Sequence, residues 1–216
     1  MRSPTFLIDP RIPLVADSST VINLIATGCA PSIITALSNP IVAVDIIPGE
    51  LDTGRQRGRP HADRLQELVD AGYLEIVSLG DNGWLHFETL VTGPGSQTLD
   101  DGEAATIAYA AEHGAVAIID ERKGRRLCAT HFPDLGLVST VDVLLHPDVR
   151  QKLGDAGFAE AVFAALQAAR MAVFQEHLAE ILSIIGPDRA ARCPSLPRRF
   201  RASTLPPASA EVEQGR

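Results

Sequence analysis

The sequence predicts an α/β fold with a central, mainly parallel β-sheet, and two observations support this prediction. Short aliphatic runs alternate along the chain with stretches whose apolar residues recur at helical spacing. Hydrophobic residues make up 45% of the 216 residues, whereas aromatic residues make up only 5%. A core of this aliphatic kind suits strands that are covered by helices better than it suits an aromatic-rich β-sandwich.

The first strand is predicted over residues 13–17, an apolar run that ends in Asp17. Ser18, Ser19 and Thr20 can each cap the helix that follows, and Gly28 ends that helix. Residues 48–51 are predicted as a turn or as the start of a short helix. The same signals predict further helices over residues 31–37 and 61–71, and further strands over residues 41–44 and 74–77.

Residues 80–98 contain four glycines and are predicted mostly as a loop, with at most one helical turn over residues 84–90. Asp100 is predicted to cap the next helix, with Glu103 as its capping-box partner, and Gly114 ends that helix. The remaining predicted elements are a strand over 115–119, a helix over 121–130, a strand over 137–138 and a helix after Ser139 and Thr140.

The chain is predicted to divide into four parts of different composition. An Ala-rich helical pattern over residues 157–185 suits packing on the domain, on a sister subunit or on a partner protein, and predicts a homodimer. After residue 186 the composition shifts to Pro, Ser, Arg and Ala, which predicts disorder. The four parts are a flexible lead-in (1–12), a catalytic domain (13–150), a C-terminal helical extension (151–186) and a disordered tail (187–216).

Charge and cysteine content limit the possible functions. The net charge of −8 argues against a general nucleic-acid coat protein, but an enzyme with an acidic metal pocket remains compatible with it. The three cysteines are too few for a disulfide framework, and no CxxC zinc spacing is present. No apolar run approaches the roughly 20 residues of a membrane span, and the N-terminus lacks the pattern of a signal peptide. We therefore expect a cytoplasmic protein that is not embedded in a membrane.

Three acidic residues are predicted to meet at one edge of the sheet. Asp17 and Asp120 each end a predicted strand, and parallel strands bind ligands beyond their carboxyl ends. Glu103 lies in the first turn of the helix before the strand that Asp120 ends. Clustered carboxylates repel one another unless a cation neutralises them, and oxygen ligands suit Mg²⁺ or Mn²⁺. The pattern therefore predicts a divalent-metal site that can hydrolyse phosphodiesters.

Each of the three acids also has a simpler interpretation when it is taken alone. Asp17 can be a helix N-cap and Glu103 a capping-box residue. Asp120 can complement the dipole of the following helix. The joint position of the three residues at one sheet edge favours the metal site over these separate interpretations.

Three sequence blocks resemble PIN-domain ribonucleases. Residues 14–19 (LVADSS) with residues 22–24 (INL) are similar to the opening of that family. Residues 99–104 (LDDGEA) resemble the LDxGEA element of one prokaryotic branch, and residues 119–125 (IDERKGR) resemble that branch's IDERKGR element. The order and the spacing of all three blocks fit, and the resemblance covers about residues 13–150.

The resemblance implies a Rossmann-like, three-layer PIN fold and Mg²⁺- or Mn²⁺-dependent endoribonuclease activity on RNA. It also implies an antitoxin partner, because many small prokaryotic members are toxins that an antitoxin protein holds inactive. By the same resemblance, Asp17, Glu103 and Asp120 would bind the metal or activate water. Ser18 and Thr140 would support these ligands, with Thr140 donating a hydrogen bond to a ligand carboxylate.

The resemblance further implies an acid after the second strand, and Glu50 is the best match. Asp45 and Asp52 remain alternatives, because Pro48 and Gly49 weaken the helix expected there. A separate residue, Asp142, stands where the family has a small residue. It is either a fifth acid of the site or an exposed helix residue, and we favour the second.

Basic residues are predicted to hold the substrate, because arginine binds phosphate through paired hydrogen bonds. Residues Arg122, Lys123 and Arg125 follow Asp120 directly, together with Arg126. A solvated helix face is the alternative interpretation. A second basic patch is predicted at Arg55, Arg57 and Arg59.

Two other functions compete with the metal-dependent endoribonuclease. The first is a catalytically degenerate PIN-like protein that binds RNA or has a regulatory role, suggested by the uncertain second acid and by Asp142. The second is a nucleotide- or phosphate-binding α/β protein of another family, which lacks support because neither GxGxxG nor GxxxxGK[ST] is present. The six histidines show no metal-like spacing and are predicted to be structural or surface residues.

Overall fold

A computed structural model describes residues 9–55 and 61–200 of the chain. Its centre is a five-stranded sheet in the order β3-β2-β1-β4-β5, in which all the paired strands are parallel. The predicted α/β fold with a parallel sheet is therefore confirmed. The strands are Leu14–Ala16 (β1), Ile41–Val44 (β2), Glu75–Val77 (β3), Val116–Ile118 (β4) and Gly136–Val138 (β5).

Helices cover both faces of the sheet. Side chains alternate along β1, so that Leu14 and Ala16 join one hydrophobic cluster while Val15 joins the other. Residues of α1, α2, α9 and α10 pack into the first cluster, and residues of α5, α6 and α7 pack into the second. The α-helices are Ser18–Ala26 (α1), Ala30–Ala36 (α2), Ile46–Arg55 (α3), His61–Asp70 (α4), Asp81–Val91 (α5), Asp101–His113 (α6), Arg122–His131 (α7), Thr140–Leu144 (α8), Pro147–Ala164 (α9) and Leu178–Ala190 (α10).

The strand order places a topological switch point at the centre of the sheet. The chain runs outward from β1 through β2 to β3, then returns to place β4 on the other side of β1. Sheets of this kind bind ligands in the crevice beyond the carboxyl ends of the two central strands. Asp17 directly follows β1, and Asp120 lies two residues after β4. The fold thus brings these two residues to the same crevice.

The prediction of a loop over residues 80–98 is wrong for its first part, which forms α5 (Asp81–Val91). Two of the glycines that suggested a loop are required by a close approach of Glu112. The Glu112 carboxylate accepts a hydrogen bond from the Gly80 amide at 2.9 Å. A Cβ added to Gly83 would lie 2.5 Å from a Glu112 carboxylate oxygen. Glycine here therefore makes room for an acid that caps the helix, and does not mark a turn.

The prediction of one continuous helix over residues 157–185 is also wrong. Helix α9 ends at Ala164 and continues as a π-helix, Ala165–Ala169, before the chain breaks at Arg170. A 3₁₀-helix, Gln175–His177, then leads into α10. No glycine or proline occurs within residues 165–174, so the sequence contains no ordinary marker of this break.

The predicted tail does not begin at residue 187. Helix α10 is interrupted at Gly186, which has a positive φ of 77°, and a second helical segment then runs from Pro187 to Ala190. Ala190, Cys193 and Leu196 are all buried in the core. Apolar residues are sparse in this segment, but they recur every third residue and so reach the same core face. The part of the predicted tail over 201–216 lies outside the described residues, as do residues 1–8 of the predicted lead-in and Arg57 and Arg59 of the predicted basic patch.

Within the described ranges, no single helix is both long enough and apolar enough to cross a membrane. Helices α1 and α2 reach the necessary length and composition only as a pair, and they are bent by 111° relative to each other.

Candidate metal centre

A cleft of about 610 Å³ lies at the crevice beyond β1 and β4. It is lined by the N-terminal parts of α1, α6 and α7, by one residue of α3, and by residues 169–172 of the C-terminal extension. Six acidic side chains face this cleft, whereas its basic lining residues are Arg122 and Arg170. The acidic residues are Asp17, Glu50, Asp100, Glu103, Asp120 and Glu121.

Asp17 is both a helix cap and a member of the cleft. One carboxylate oxygen accepts a hydrogen bond from the Thr20 amide at 2.7 Å, which caps α1. The Ser19 hydroxyl donates to the same carboxylate at 2.9 and 3.0 Å. Burial, followed by the nearby charge of Asp120, raises the pKa of Asp17 to about 7 in spite of these hydrogen bonds. The ionised form of Asp17 is therefore costly in the protein alone.

Asp120 is held by hydrogen bonds from two other elements. The Thr140 amide and hydroxyl donate to its two oxygens at 2.7 and 2.6 Å, the kind of contact expected of Thr140. The side-chain amide of Asn23 on α1 donates at 2.8 Å. Burial raises the pKa of Asp120, although these hydrogen bonds and the charge of Arg125 act in the opposite direction.

Glu103 lies in the first turn of α6, where the Asp100 carboxylate caps the helix by accepting from the Glu103 amide at 2.9 Å. The Glu103 carboxylate lies against Gly124, where an added Cβ would be 2.8 Å from one of its oxygens. This close approach explains the glycine in the IDERKGR block. Burial, followed by the charges of Asp100 and Glu121, raises the pKa of Glu103 to about 8.

Glu50 lies on the same cleft and is held at the N-terminus of α6. Its carboxylate accepts a hydrogen bond from the Gly102 amide at 2.9 Å and another from the Ser18 hydroxyl. A Cβ added to Gly102 would lie 2.9 Å from the carboxylate carbon of Glu50, so the glycine of the LDDGEA block leaves room for this acid. The N-terminus of a helix stabilises such a negative charge.

The two alternatives to Glu50 are placed elsewhere. The Asp45 carboxylate is exposed and accepts a hydrogen bond from the Ser78 hydroxyl at 2.7 Å. Asp52 lines a different cavity, between α3 and α4. Pro48 does not prevent helix formation, because it lies in the first turn of α3, where proline is tolerated.

Asp142 does not line the cleft, and its side chain is not exposed on a helix surface. Its carboxylate accepts from the Ser139 amide and hydroxyl at 2.8 and 2.7 Å, which completes a capping box for α8. Its other oxygen lies 3.0 Å from Nε2 of His177, which is buried. The preference for an exposed residue is therefore wrong: Asp142 is largely buried and joins α8 to the C-terminal extension.

The basic residues after Asp120 point to different neighbours. Arg122 lines the cleft, and the charge of Lys123 acts on Glu103. Arg125 donates to the Ile119 carbonyl at 3.2 Å, and its guanidinium lies 4.8 Å from the centre of the Phe174 ring. Arg126 donates to the Ser96 carbonyl at 3.2 Å. The side chains of this run therefore divide between the cleft, the C-terminal extension and a separate loop.

Several residues of the cleft were not identified from the sequence. Asn23 lies four residues after Ser19, and a polar residue at that spacing on an apolar helix was an available signal. Asp100 was predicted only as a helix cap, and Glu121 only as the first residue of a helix, yet both join Glu103 in a group whose ligand oxygens lie within 4.8 Å of one another. Arg170 had no such signal, because it lies at a break that the sequence does not mark.

The acidic residues of the cleft fit a hard divalent cation. Their ligand atoms are all carboxylate oxygens, which Mg²⁺ and Mn²⁺ prefer over nitrogen or sulfur ligands. Asp17, Glu103 and Asp120 are buried, and the pKa of each is raised. A bound cation would remove the cost of ionising these groups, which makes the cleft a candidate metal centre. Among the described residues, the acids whose ligand oxygens lie within 4.8 Å of one another are Asp100, Glu103 and Glu121. Asp17 and Asp120 line the same cleft but do not belong to that group.

Comparison with known proteins supports this interpretation. The family model DUF3368, which is described as a PIN domain, matches residues 13–187. The match includes the cleft and extends through most of the C-terminal helices. No significant match was found among curated proteins or among solved structures.

Proposed function

Because the chain belongs to the PIN-domain family, whose members are generally nucleases, we propose that it is a metal-dependent endoribonuclease that hydrolyses RNA phosphodiester bonds. One observation carries this proposal: three buried carboxylates with raised pKa values face one cleft at the switch point of the sheet. Such a cluster can bind a divalent cation, and the cation can promote hydrolysis of a phosphodiester.

In this proposal Asp17, Glu103 and Asp120 hold Mg²⁺ or Mn²⁺. When bound, such an ion lowers the pKa of a water molecule and neutralises charge on the phosphodiester. Thr140 and Asn23 fix the orientation of Asp120 through their hydrogen bonds. Asp100 and Glu121, which are exposed, are further candidate ligands, because their ligand oxygens lie within 4.8 Å of that of Glu103.

Glu50 is proposed as the remaining catalytic acid. The Ser18 hydroxyl and the Gly102 amide hold its carboxylate at the cleft. Among the basic residues, Arg122 and Lys123 are proposed to contact the RNA. Arg125 is better suited to positioning the C-terminal extension, because its guanidinium is already engaged by Ile119 and Phe174.

A cellular role as the toxin of a toxin–antitoxin pair is also proposed, with an antitoxin protein as its partner and the cytoplasm as its location. The similarity of the LDDGEA and IDERKGR blocks to toxin-like family members supports this role, and three free cysteines fit a reducing compartment. A homodimer remains part of the proposal. Phe158 and Val162 of helix α9 are buried in the hydrophobic core of the same chain, so a dimer would have to use another surface.

A catalytically degenerate RNA-binding protein is the alternative. It was suggested by the uncertain second acid and by Asp142. Glu50 lines the cleft, and Asp142 is occupied by Ser139 and His177, so neither observation now favours the alternative.

The direct test is cleavage of single-stranded RNA by the purified full-length chain with Mn²⁺. We expect cleavage that EDTA abolishes and that Asp17→Asn reduces below detection, since asparagine preserves the helix cap but removes the charge. Asp134→Asn, which removes an exposed acid outside the cleft, is the matched control and should cleave at the wild-type rate. An inactive wild-type chain that still binds RNA would support the degenerate alternative.

A further inference from the structure

One side of the acidic cleft is built by the C-terminal extension, at the break after α9. Residues 169–172 line the cleft, and the side chain of Arg170 is exposed there. Arg170 has φ 57° and ψ 37°, and it is the sole non-glycine residue with a positive φ in the described parts of the chain. Arginine gains nothing locally from this left-handed conformation, unlike asparagine or aspartate.

Neighbouring contacts hold Arg170 in this conformation from both sides. A π-helix, Ala165–Ala169, ends directly before it, and π-helical turns occur frequently at functional sites. The Met171 amide donates to the Ala165 carbonyl at 3.2 Å, and the Met171 side chain is buried. Further along, Phe174 lies under Arg125, and His177 pairs with Asp142. The surrounding structure therefore imposes a backbone conformation that arginine does not favour.

The charges around Arg170 show what its side chain can bind. The cleft contains six carboxylates, so an RNA backbone that enters it meets strong repulsion unless cations oppose it. Across residues 9–55 and 61–200, the Arg170 guanidinium makes no hydrogen bond or ion pair, so its donors are available. A guanidinium offers paired donors that match two phosphate oxygens.

We propose that Arg170 binds a phosphate of the RNA backbone at the metal cleft, and that the break after α9 exists to present it there. This inference rests on the proposed endoribonuclease function. It adds a substrate-binding residue from the C-terminal extension to those from α7, so the extension is part of the active site.

Four variants of the full-length chain test this assignment: Arg170→Ala, Arg170→Lys, Arg170→Gly and the control Lys152→Ala. Lys152 is an exposed cation on α9 that does not line the cleft. We expect Arg170→Ala to lower kcat/KM for cleavage of a short single-stranded RNA with Mn²⁺ by about tenfold or more, the loss expected for one charge-assisted hydrogen bond. Arg170→Lys should recover part of this loss, and Lys152→Ala should change nothing.

Arg170→Gly separates binding from folding. Glycine adopts a φ of 57° without strain, so this variant should have a thermal midpoint at or above that of the wild type. It should nevertheless cleave as poorly as Arg170→Ala. A structural role for Arg170 would instead lower the melting temperature of the variants together with their activity.

Salt dependence of RNA binding, measured by fluorescence anisotropy in EDTA, supplies a readout that does not need cleavage. Removal of one phosphate contact should reduce the slope of log K against log salt concentration by about 0.7 for a single strand. Equal cleavage rates and equal salt slopes for the wild type and Arg170→Ala would overturn this inference and leave the proposed function intact. A wild-type chain that neither cleaves nor binds RNA would overturn both.

Discussion

Asp120 and Asp142 both accept hydrogen bonds from the N-terminus of α8, but their pKa values are shifted in opposite directions. Asp120 accepts hydrogen bonds from Thr140, and Asp142 accepts hydrogen bonds from Ser139, the adjacent residue. Burial raises the pKa of Asp120. Burial also acts to raise the pKa of Asp142, but the hydrogen bond from His177 and those from Ser139 outweigh it and lower the pKa. The same hydrogen bond raises the pKa of His177.

We infer from this difference that Asp142 is a structural acid, whereas Asp120 is an acid of the proposed metal centre. Asp142 has an internal partner in His177, whose pKa the contact raises, so the protonated imidazole neutralises the Asp142 charge within the fold. Asp17, Glu103 and Asp120 share a cleft in which acids outnumber arginines by six to two. A protein that buries acids without an internal cation destabilises their charged forms, and an external cation can remove that cost. This imbalance is the observation from which we propose a metal at the cleft.

The largest expected effect distinguishes these two acids directly. Asp120→Asn should lower the rate of RNA cleavage by about a thousandfold or more, because a metal ligand supplies several kcal/mol of transition-state stabilisation. Asp142→Asn should leave the cleavage rate within about tenfold of the wild type. It should lower the free energy of unfolding by about 1–3 kcal/mol, because it leaves His177 with a weaker partner. Cleavage assays and urea denaturation measure the two quantities, and equal effects of both variants on cleavage would contradict the distinction.

A smaller effect is expected where glycine makes room for an acid. An Ala side chain at Gly124 would meet a Glu103 oxygen at 2.8 Å and Ile119 at 2.9 Å, so the carboxylate has to shift. We expect Gly124→Ala to lower kcat by about tenfold or more, because small displacements of catalytic groups are costly. Gly157→Ala is the matched control, since its new Cβ meets only an ordinary contact at 3.7 Å. If both variants cleave RNA equally well, the cleavage rate does not depend on the position of the Glu103 carboxylate.

The sequence predicted the sheet and the main acids because these depend on local patterns. Short aliphatic runs identified the strands, and their order placed Asp17 and Asp120 at one edge. The glycines at 80 and 83 were misinterpreted because only the folded chain brings Glu112 against them. A sequence pattern likewise could not show the role of any residue whose contacts are with residues distant in the chain.

The C-terminal extension was the least predictable part of the molecule. The Ala-rich pattern favours one helix, and the break at Arg170 depends on contacts with residues far away in the sequence, such as Arg125 with Phe174. The partner of Asp142 is His177, which is 35 positions later (177 − 142) and carries no local signal. Non-local contacts of this kind determined both the shape of the cleft and the distinction between the two acids.

Asp17 and Glu103 make the stability of the protein depend on pH in a defined direction. Their pKa values are raised from 3.8 and 4.5 to about 7 and about 8. The folded chain therefore holds these protons more tightly than the unfolded chain, so their contribution to stability is complete below about pH 4. It is lost as pH rises through the folded pKa values. A divalent cation binds the deprotonated carboxylates and should reverse this trend.

The most direct test of the metal centre is the thermal midpoint of the wild type across this pH range, with and without Mn²⁺. Without metal, the thermal midpoint should fall as the pH rises from about 5 to about 8, because the contribution of the two acids to stability is lost over this range. Mn²⁺ at about 100 times its Kd stabilises by about 2.7 kcal/mol, or about 5–10 °C for a chain of this size. We predict that this increase grows with pH and is absent in Asp17→Asn. A midpoint that Mn²⁺ leaves unchanged at every pH, or that rises equally in Asp17→Asn, would contradict the account.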